Sequence, residues 1–402
     1  MRVRGNAIFP ASVMGRLSIL LAILRQLCLV LSIAVFSFEL KKLAPDVFFV
    51  DQLSACVPCL KLLAPNAKVL FYGHFPDRLL PKVEAGIIQR FKSMYRMVFD
   101  RIESWSTGCA DSIVVNSKFT RSMFKQTFAS LRTSDMKVVY PCVDTSTIRD
   151  DETGPTLWSD RTVLLSINRY EEKKNLSLAI QSYAGLLNEE RRKSKLVIAG
   201  GFDSRVRENA ATLKHLQKLA ESLKISYGTY RGDDVTLGED TNDVIFLLSI
   251  PDKLKRRLLY TSSLLIYTPQ NEHFGIVPIE AMLAGVPVLA TNTGGPLETI
   301  YDGRTGWLRS PDKVEQWTEV MRKPLIPSSA DNLRAMGQRG RERVRAEFSQ
   351  EKMTDSLDQE IQRLCRASSS YSMVVPTWLW KTLIFVAVSL AAVMSKGFRL
   401  KA

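Results

Sequence analysis

Short apolar runs that end in polar residues recur along the first part of the chain and predict buried strands. These runs are 46–51 (DVFFVD), 68–74 (KVLFYGH), 112–117 (SIVVNS) and 137–141 (KVVYP). Near-continuous runs of Val, Ile and Phe are typical of strands that are covered on both faces of a parallel sheet. The stretch 82–106 is long enough for a helix that crosses between parallel strands. The pattern therefore predicts a parallel α/β domain.

A second series of apolar runs follows the polar stretch 150–160, which has the composition of an interdomain linker. Its predicted strands are 163–168, 196–201, 244–249, 264–269 and 287–291. The predicted helices lie near 175–187, 205–223, 252–262 and 278–284. Strands that alternate with helices in this way indicate a second doubly wound domain.

Two other segments of the second half lack the strand pattern. The segment 225–243 is rich in Gly and Asp, and we expect it to be a surface insertion. Its pair Asp233-Asp234 has no neighbouring ligands, so a solvated loop is expected there rather than a metal site. The segment 331–364 is charged and predicted to be helical.

The composition is that of a folded, basic protein. The chain has 402 residues, 46% of them apolar, and a formal net charge of +14, which predicts two domains with packed cores. The excess positive charge suits an anionic membrane surface, a phosphorylated substrate or nucleic acid. We expect no nucleic-acid binding, because the chain has no RNA-binding aromatic motif, no zinc-finger spacing and no basic helix.

The six cysteines lie mostly in apolar runs, which is typical of reduced, buried cysteines in a reducing compartment. Cys56 and Cys59 have the spacing of a redox motif. Because their setting is an ordinary strand-to-helix stretch, we expect them to serve core packing.

Two hydrophobic segments of 22 residues each, 17–38 and 373–394, bear on membrane contact. Either is long enough to cross about 30 Å of hydrocarbon as a helix. We expect the first to be a helix of the N-terminal domain that lies partly in the membrane interface. For the second we expect membrane contact, because Trp378 and Trp380 suit an interfacial belt and basic residues follow at the end of the chain.

The segment EHFGIVPIE carries two carboxylates, Glu272 and Glu280, around an apolar turn with Gly275 and Pro278. Glu272 is predicted to lie on a loop after a strand, and Glu280 one or two turns into a helix. The start of that helix offers free N–H groups and the positive end of the helix dipole. The arrangement suits a nucleotide-sugar: one carboxylate for sugar hydroxyls, the helix start for a diphosphate, and the other carboxylate for a ribose.

Arg169 and Lys174 follow the first strand of the second domain, in NRYEEKKN. Two cations at the mouth of an α/β sheet suit a diphosphate. Gly294 and Gly295, in NTGGPLE, form a predicted turn at another strand end. This turn either contributes to the same site or is a simple tight turn. His74 closes a strand in GHFPD, where it either faces a cleft or is a structural residue.

These strings resemble the retaining glycosyltransferases of the GT-B fold. More closely they resemble the dolichol-pathway alpha-1,3/alpha-1,6-mannosyltransferases of asparagine-linked glycosylation. The matching strings, within roughly residues 5–350, are DQLSACVP, LFYGHFPD, VVNSKFT, LLSINRYEEKKNLSLAI, IYTPQNEHFGIVPIEAM and NTGGPLETI. The resemblance implies an α/β fold with two Rossmann-like domains that face a cleft.

The domain boundaries follow from this resemblance and from the pattern. We expect an acceptor-side domain over 1–154 that includes the hydrophobic helix 17–38, and a nucleotide-sugar-binding domain over 155–348. A C-terminal helix over 349–370 is expected to return toward the first domain, and 371–402 to be a membrane-associated tail.

The resemblance implies a reaction. Mannose passes from GDP-mannose to a dolichyl-diphosphate-linked oligosaccharide, in alpha-1,3 and then alpha-1,6 linkage, with no cofactor. The absence of a DxD triplet agrees with a metal-independent reaction. The expected location is the endoplasmic reticulum membrane, with other dolichol-pathway glycosyltransferases as possible partners. Because a glycan on the sequon Asn175-Leu176-Ser177 would block the site, the active site is expected to face the cytosol.

The resemblance also implies roles for individual residues. Arg169 and Lys174 neutralise the leaving GDP, and Glu272 binds the mannose hydroxyls. Glu280 holds the ribose, and His74 lies near the reacting sugar. The residues whose backbone meets the donor are Phe274, Gly275, Ile276 and Val277, with Gly294 and Gly295 also assigned to donor binding.

One departure from the family concerns the beginning of the chain. Family members open with a strand and a Gly-rich turn, whereas RGNAIFP here matches a position well inside their first domain. We therefore expect an incomplete N-terminal domain. Two alternatives stay open: another GT-B hexosyltransferase with a lipid acceptor, or an inactive membrane-bound GDP-binding or scaffold protein. A dinucleotide oxidoreductase is disfavoured, because no GxGxxG follows a strand.

Overall fold

A computed structural model describes residues 9–10, 18–36, 39–76, 87–146, 157–232 and 240–367. These residues form two compact units. The first unit comprises the described parts of Met1–Asn116, Thr120–Val139 and Leu357–Ala402. The second comprises Ser117–Phe119 and the described parts of Tyr140–Ser356.

The first unit is built around a parallel sheet of four strands in the order β1-β2-β3-β4. The strands are β1 (Val47–Asp51), β2 (Lys68–Gly73), β3 (Ser112–Val115) and β4 (Met136–Val138). All four were predicted from the apolar runs. Among the described residues before β4, the α-helices are α1 (Ser18–Leu31), α2 (Glu39–Leu43), α3 (Val57–Leu63), α4 (Ile87–Gly108) and α5 (Lys118–Thr127).

The described part of the predicted hydrophobic helix 17–38, residues 18–36, is helical. It consists of α1 and a π-helical turn, Ser32–Phe36. The side-chain amide of Gln26 donates to the carbonyl of Leu53 at 2.5 Å and accepts from the backbone N–H of Cys56 at 3.1 Å, which ties α1 to the first unit. No helix among the described residues combines the length and the apolar character needed to span a membrane. The predicted tail segment 373–394 lies outside the described residues.

The second unit is built around a parallel sheet of seven strands in the order β11-β10-β9-β5-β6-β8-β7. The five predicted strands are present as β5 (Thr162–Ile167), β6 (Ser194–Gly200), β8 (Val244–Leu248), β9 (Leu264–Tyr267) and β10 (Val288–Thr291). Apolar side chains cover both faces of this sheet, because the residues of the central strands alternate between two buried clusters. That burial explains why these strands are near-continuous apolar runs.

Two strands of this sheet, both at its edges, were not predicted from the sequence. They are β7 (Tyr227–Arg231) and β11 (Gly306–Arg309). The prediction that 225–243 is wholly a surface insertion is therefore wrong for its first part. Only partly buried or exposed side chains occur in β7, so the apolar run typical of a central strand is absent. The pair Asp233-Asp234 lies outside the described residues.

Helices connect the strands of the second unit and follow them. They are α6 (Leu176–Ala184), α7 (Asn188–Arg192), α8 (Arg207–Ser222), α9 (Asp252–Thr261), α10 (Ile276–Leu283), α11 (Pro296–Thr299), α12 (Val314–Arg322), α13 (Ala330–Glu347) and α14 (Gln350–Arg366). The predicted helical segment 331–364 is thus two helices, separated at Phe348 and Ser349. From Leu357 onward α14 belongs to the first unit. Most of the predicted linker 150–160 lies outside the described residues.

Candidate active site

The predicted donor-binding residues of the second unit follow three neighbouring strands. Lys174 follows β5, Glu272 follows β9, and Gly295 follows β10. In the sheet, β9 pairs with β5 on one side and with β10 on the other, and all three are parallel. Their carboxyl ends therefore meet at one edge of the sheet, which is where open α/β folds bind ligands.

Lys174 and Glu272 form an ion pair at this edge. The ammonium of Lys174 lies 2.5 Å from a carboxylate oxygen of Glu272, and the two side chains are only 11% and 21% exposed. Burial alone raises the pKa of Glu272, but the charge of Lys174 and its hydrogen bond outweigh burial, so that the pKa is lowered. Glu272 is therefore ionised at neutral pH and can accept hydrogen bonds from hydroxyl groups.

Two neighbours hold this pair. The hydroxyl of Thr268 donates to the backbone carbonyl of Lys174 at 2.6 Å. Tyr267 hydrogen-bonds to Glu272, and burial followed by the Glu272 charge raises the pKa of this phenol well above its usual value. Tyr267 thus stays a neutral donor. The sequence did not reveal this role, because Tyr267 is the last residue of an apolar strand and has the pattern of a core residue.

The turn between the two carboxylates brings a helix start to the same edge. Gly275 has φ +88° and precedes the first residue of α10. Glycine adopts this left-handed backbone readily, which lets the chain turn sharply into the helix. The first-turn N–H groups of a helix have no intrahelical acceptors, so the amides of Ile276 and Val277 suit an anion. The side chain of Phe274, by contrast, is buried and stacks on Tyr140 with ring centroids 5.6 Å apart.

Glu280 lies within α10 and pairs with a residue that the sequence analysis missed. Lys255, on α9, donates to Oε1 of Glu280 at 2.7 Å. The other oxygen, Oε2, is buried and has no hydrogen-bond partner among the described residues. A buried carboxylate oxygen without a donor is unfavourable, so this atom is poised to accept a hydroxyl. A pocket of about 270 Å³ lies here, lined by Glu280, Lys255, Asp252, Arg256, Tyr260 and four apolar side chains, with Asp144.

Gly294 and Gly295 contact the backbone of the Glu272 loop. The N–H of Gly295 donates to the carbonyl of Glu272 at 2.7 Å. A Cβ on Gly295 would lie 2.2 Å from the carbonyl oxygen of Phe274, and one on Gly294 2.6 Å from that of Glu272. The two glycines therefore allow two backbone segments to approach closely, and their assignment to donor binding stays a prediction.

Arg169 is the exposed cation of the site. Its side chain is 63% exposed, and its guanidinium pairs with Glu171 at 2.9 Å. Glu171 is only 15% exposed, but Lys173 also pairs with it at 3.2 Å. The exposed guanidinium of Arg169 can therefore turn toward an anionic ligand while the Glu171 carboxylate keeps a cationic partner.

His74 belongs to the first unit. It follows β2, and its Nε2 lies 2.8 Å from a carboxylate oxygen of Asp51, the last residue of the neighbouring strand β1. The ring also meets the ring of Tyr72 edge to face at 5.1 Å between centroids. The contact between Asp51 and His74 could not be predicted from the sequence, because only the pairing of β1 with β2 brings the two residues together.

The cysteines and the possible metal ligands bear on two further kinds of chemistry. All six cysteines are free. Burial, followed by the nearby Cys59, raises the pKa of the Cys56 thiol to about 12, which is opposite to the low pKa of a redox-active cysteine. In the described part of the chain, no three His, Cys, Asp or Glu side chains are grouped so as to hold a metal ion. Metal independence of the reaction stays a prediction.

Two family models match the chain. Residues 18–147 match "Glycosyltransferase Family 4". Residues 149–230 and 238–343 match "Glycosyl transferases group 1". Both halves of the chain are therefore of glycosyltransferase type.

Curated relatives share this chain's sequence at high identity. It is 45% identical to an alpha-1,3/1,6-mannosyltransferase of Neurospora crassa, over 98% of this chain and 83% of the relative. It is 39% identical to an alpha-1,3/1,6-mannosyltransferase of Saccharomyces cerevisiae, over 90% of this chain and 74% of the relative.

Solved structures share the fold at low sequence identity. A sucrose-phosphate synthase from Thermosynechococcus elongatus has a TM-score of 0.65 at 20% identity, covering 90% of this chain and 83% of that one. A glycosyltransferase from Rickettsia africae has a TM-score of 0.59 at 18% identity, covering 85% and 82%. These likenesses concern the fold alone, and they confirm the predicted GT-B fold. The two family models and the curated relatives show that the chain is a glycosyltransferase and belongs to the alpha-1,3/1,6-mannosyltransferase family.

Proposed function

We propose that this chain transfers mannose from GDP-mannose to a dolichyl-diphosphate-linked oligosaccharide, first in alpha-1,3 and then in alpha-1,6 linkage. The observation that carries the proposal is the ion pair of the buried Lys174 and the partly buried Glu272 at the carboxyl edge of the second sheet. It places a cation and an ionised carboxylate side by side, one suited to a phosphate and the other to sugar hydroxyls.

The diphosphate of the donor is proposed to lie against three positive groups. These are the ammonium of Lys174, the guanidinium of Arg169 and the N-terminus of α10. Negative charge on the leaving GDP grows as its bond to mannose breaks, and fixed cations that are already in place stabilise that charge. Neither cation needs to gain or lose a proton for this purpose.

The two carboxylates are proposed to hold the two sugars of the donor. Glu272 accepts hydrogen bonds from mannose hydroxyls and so orients the anomeric carbon. Oε2 of Glu280, which is buried and has no donor among the described residues, accepts a ribose hydroxyl. The pocket beside Glu280, of about 270 Å³, leaves room for part of a nucleoside.

The proposed step retains the configuration of the anomeric carbon. The bond between that carbon and the diphosphate oxygen breaks, and GDP leaves with the electron pair. A hydroxyl oxygen of the acceptor forms the new bond on the same face, and its proton passes to the leaving phosphate oxygen. No metal ion is needed in this scheme. The assignment of His74 to the neighbourhood of the reacting sugar stays a prediction from the sequence.

The proposed location is the endoplasmic reticulum membrane, with the active site toward the cytosol and other dolichol-pathway glycosyltransferases as possible partners. Asn175 of the sequon directly follows Lys174 and has a left-handed backbone, with φ +48°. A glycan at this position would lie against the proposed phosphate site. A glycosylation-shift gel is expected to show Asn175 unmodified, and a glycan at Asn175 would overturn the cytosolic orientation.

A donor-panel assay tests the reaction. The purified full chain is incubated with a mannosylated chitobiosyl-diphosphate lipid and either GDP-mannose, UDP-glucose or UDP-N-acetylglucosamine. Product from GDP-mannose alone is expected. Product from a UDP-sugar instead would indicate another hexosyltransferase. Binding of GDP with no product from any donor would indicate a GDP-binding protein without transferase activity.

A further inference from the structure

The carboxylate of Glu298 accepts three hydrogen bonds within the second unit. Two come from consecutive backbone N–H groups, that of Lys118 at 2.8 Å and that of Phe119 at 2.7 Å. The third comes from the hydroxyl of Tyr140 at 3.1 Å. The two amides belong to the first turn of α5, where N–H groups otherwise lack acceptors.

The groups held by Glu298 in turn touch the loop that carries Glu272. Ser117, the residue before Lys118, donates from its hydroxyl to the carbonyl of His273 at 2.6 Å. The ring of Tyr140 stacks on Phe274 at 5.6 Å between centroids, with 19° between the planes. Thus the two residues that follow Glu272 are each fixed by a neighbour of the Glu298 carboxylate.

The backbone of Glu298 reaches the same loop from the other side. Its N–H donates to the carbonyl of Gly295 at 2.9 Å, and the N–H of Gly295 donates to the carbonyl of Glu272 at 2.7 Å. The guanidinium of Arg343 also donates to the carbonyl of Glu298 at 2.7 Å. Glu298 therefore contacts the neighbours of residues 272–274 on both sides. Its carboxylate holds the residues beside His273 and Phe274, and its backbone holds the Gly295 turn beside Glu272.

A simpler role for Glu298 would be the capping of α5 alone, because a carboxylate at a helix N-terminus is favourable by itself. Capping alone does not account for the hydrogen bond from Tyr140 or for the placement of Ser117 on His273. Both contacts lead away from α5 and toward the Glu272 loop. These two contacts therefore favour a role in positioning the Glu272 loop over a role in capping α5 alone.

We propose that Glu298 is a positioning residue for Glu272, acting through Ser117, Tyr140 and the Gly295 turn. The proposal rests on the function proposed above for Glu272. Glu298 makes none of its recorded contacts with Lys174, Arg169 or Glu280, the groups proposed to hold GDP. Substitution of Glu298 should therefore shift Glu272 and so the bound mannose, while the binding of GDP is unchanged. Displacing a positioning group by about 1 Å can lower the rate about 100-fold.

The main test is Glu298→Gln in the full chain. The amide keeps the size of the side chain but replaces one acceptor oxygen with an NH₂ group, which cannot accept from the N–H of Lys118 or Phe119. Glu342→Gln on α13 is the matched control, because Glu342 is exposed and accepts a hydrogen bond from Gln338 of the same helix. The measurements are kcat and KM with GDP-mannose, the Kd of GDP, and hydrogen–deuterium exchange of the segment 270–277.

For Glu298→Gln we expect a kcat lowered about 10- to 100-fold, a Kd for GDP within about twofold of wild type, and faster exchange in 270–277. Glu298→Asp, which keeps the charge, should recover part of the rate. Ser117→Ala leaves the Glu298 cap untouched and should still lower kcat, which keeps the proposal testable if Glu298→Gln does not fold.

Wild-type kcat in both Glu298→Gln and Ser117→Ala would overturn the proposal. So would a parallel loss of GDP affinity, Tm and kcat in Glu298→Gln with normal turnover in Ser117→Ala, since that result is expected of a cap alone. If the wild-type chain forms no product from GDP-mannose, the proposed function fails instead. The exchange measurement still decides whether Glu298 fixes the loop, because it does not depend on the donor.

Discussion

The ammonium of Lys174 and the carboxylate of Glu272 are 2.5 Å apart, although 98 positions separate them along the chain. Parallel strands β5 and β9 lie side by side and deliver both residues to one edge of the sheet. The pair has two consequences. It keeps Glu272 ionised in a partly buried position, and it keeps a cation beside the proposed path of the leaving phosphate.

We expect Lys174→Met to lower kcat about 100- to 1,000-fold, the usual effect of removing one group that stabilises a developing negative charge. The loss should exceed what the change in GDP affinity explains. The measurement compares kcat with the Kd of GDP. Lys214→Met, an exposed site on α8, should leave both constants unchanged, and unchanged turnover in Lys174→Met would contradict the role of Lys174.

The same variant should change the pH dependence. In the wild type the lowered pKa of Glu272 means that the ion pair is complete above the ordinary carboxyl pKa and is lost as pH falls through the lowered value. Without Lys174, burial dominates and raises the pKa of Glu272. The acidic limb of kcat/KM should therefore move to higher pH in Lys174→Met. An acidic limb at the wild-type position would show that Glu272 is not the titrating group.

Gly295→Ala should displace the Glu272 loop. The new Cβ would lie 2.2 Å from the carbonyl oxygen of Phe274, a distance that the backbone has to relieve by moving. We expect kcat to fall at least 10-fold, in line with the sensitivity of catalysis to small displacements. Gly108→Ala is the control, because its Cβ meets only a flexible Leu131 methyl at 3.5 Å. Equal activity of the two variants would count against a close-packed loop.

Glu280→Gln tests nucleotide binding. Oε2 of Glu280 is the proposed acceptor for a ribose hydroxyl, and the substitution also removes the partner charge of Lys255. We expect the Kd of GDP and the KM for GDP-mannose to rise about 10-fold, corresponding to about 1.4 kcal/mol, with a nearly unchanged kcat. Isothermal titration with GDP measures the effect. The exposed Glu319→Gln on α12 should bind GDP as the wild type does.

Glu360→Gln should destabilise the first unit. The Glu360 side chain is 1% exposed, accepts from Ser112 at 2.6 Å and pairs with Lys137 and Arg363. Burial raises its pKa, but the hydrogen bonds from Arg363, Lys137 and Ser112 outweigh burial and lower it to about 2. Losing charged hydrogen bonds of this kind lowers the free energy of unfolding by about 1.5–3 kcal/mol.

The pH dependence of that destabilisation follows from the lowered pKa. Glu360 contributes stability that is complete above the ordinary carboxyl pKa and disappears as pH falls toward 2. The difference in urea midpoint between Glu360→Gln and wild type should therefore be full at pH 7 and shrink below about pH 4. Asp355→Asn, exposed on the same helix and beyond its first turn, should show no difference at either pH. A gap that persists at low pH would mean that the charge of Glu360 is not its source.

The sequence alone determined the two α/β units and most of their strands, because strands buried on both faces must be apolar along their whole length. It missed the edge strands β7 and β11, because their sequences YGTYR and GWLR contain no such run. It also determined the chemical types of the donor site, since EHFGIVPIE and NRYEEKKN place carboxylates, cations and a glycine at strand ends.

Which of these groups meet depends on how the strands and helices pack. Strand order placed Lys174 against Glu272, and helix packing placed Lys255 against Glu280. The tertiary structure also gave Gly295 and Glu298 contacts around the Glu272 loop that no local pattern specifies. The physical reason is that hydropathy and turn preference act between near neighbours in the chain, whereas these contacts join residues brought together by the order in which parallel strands pair.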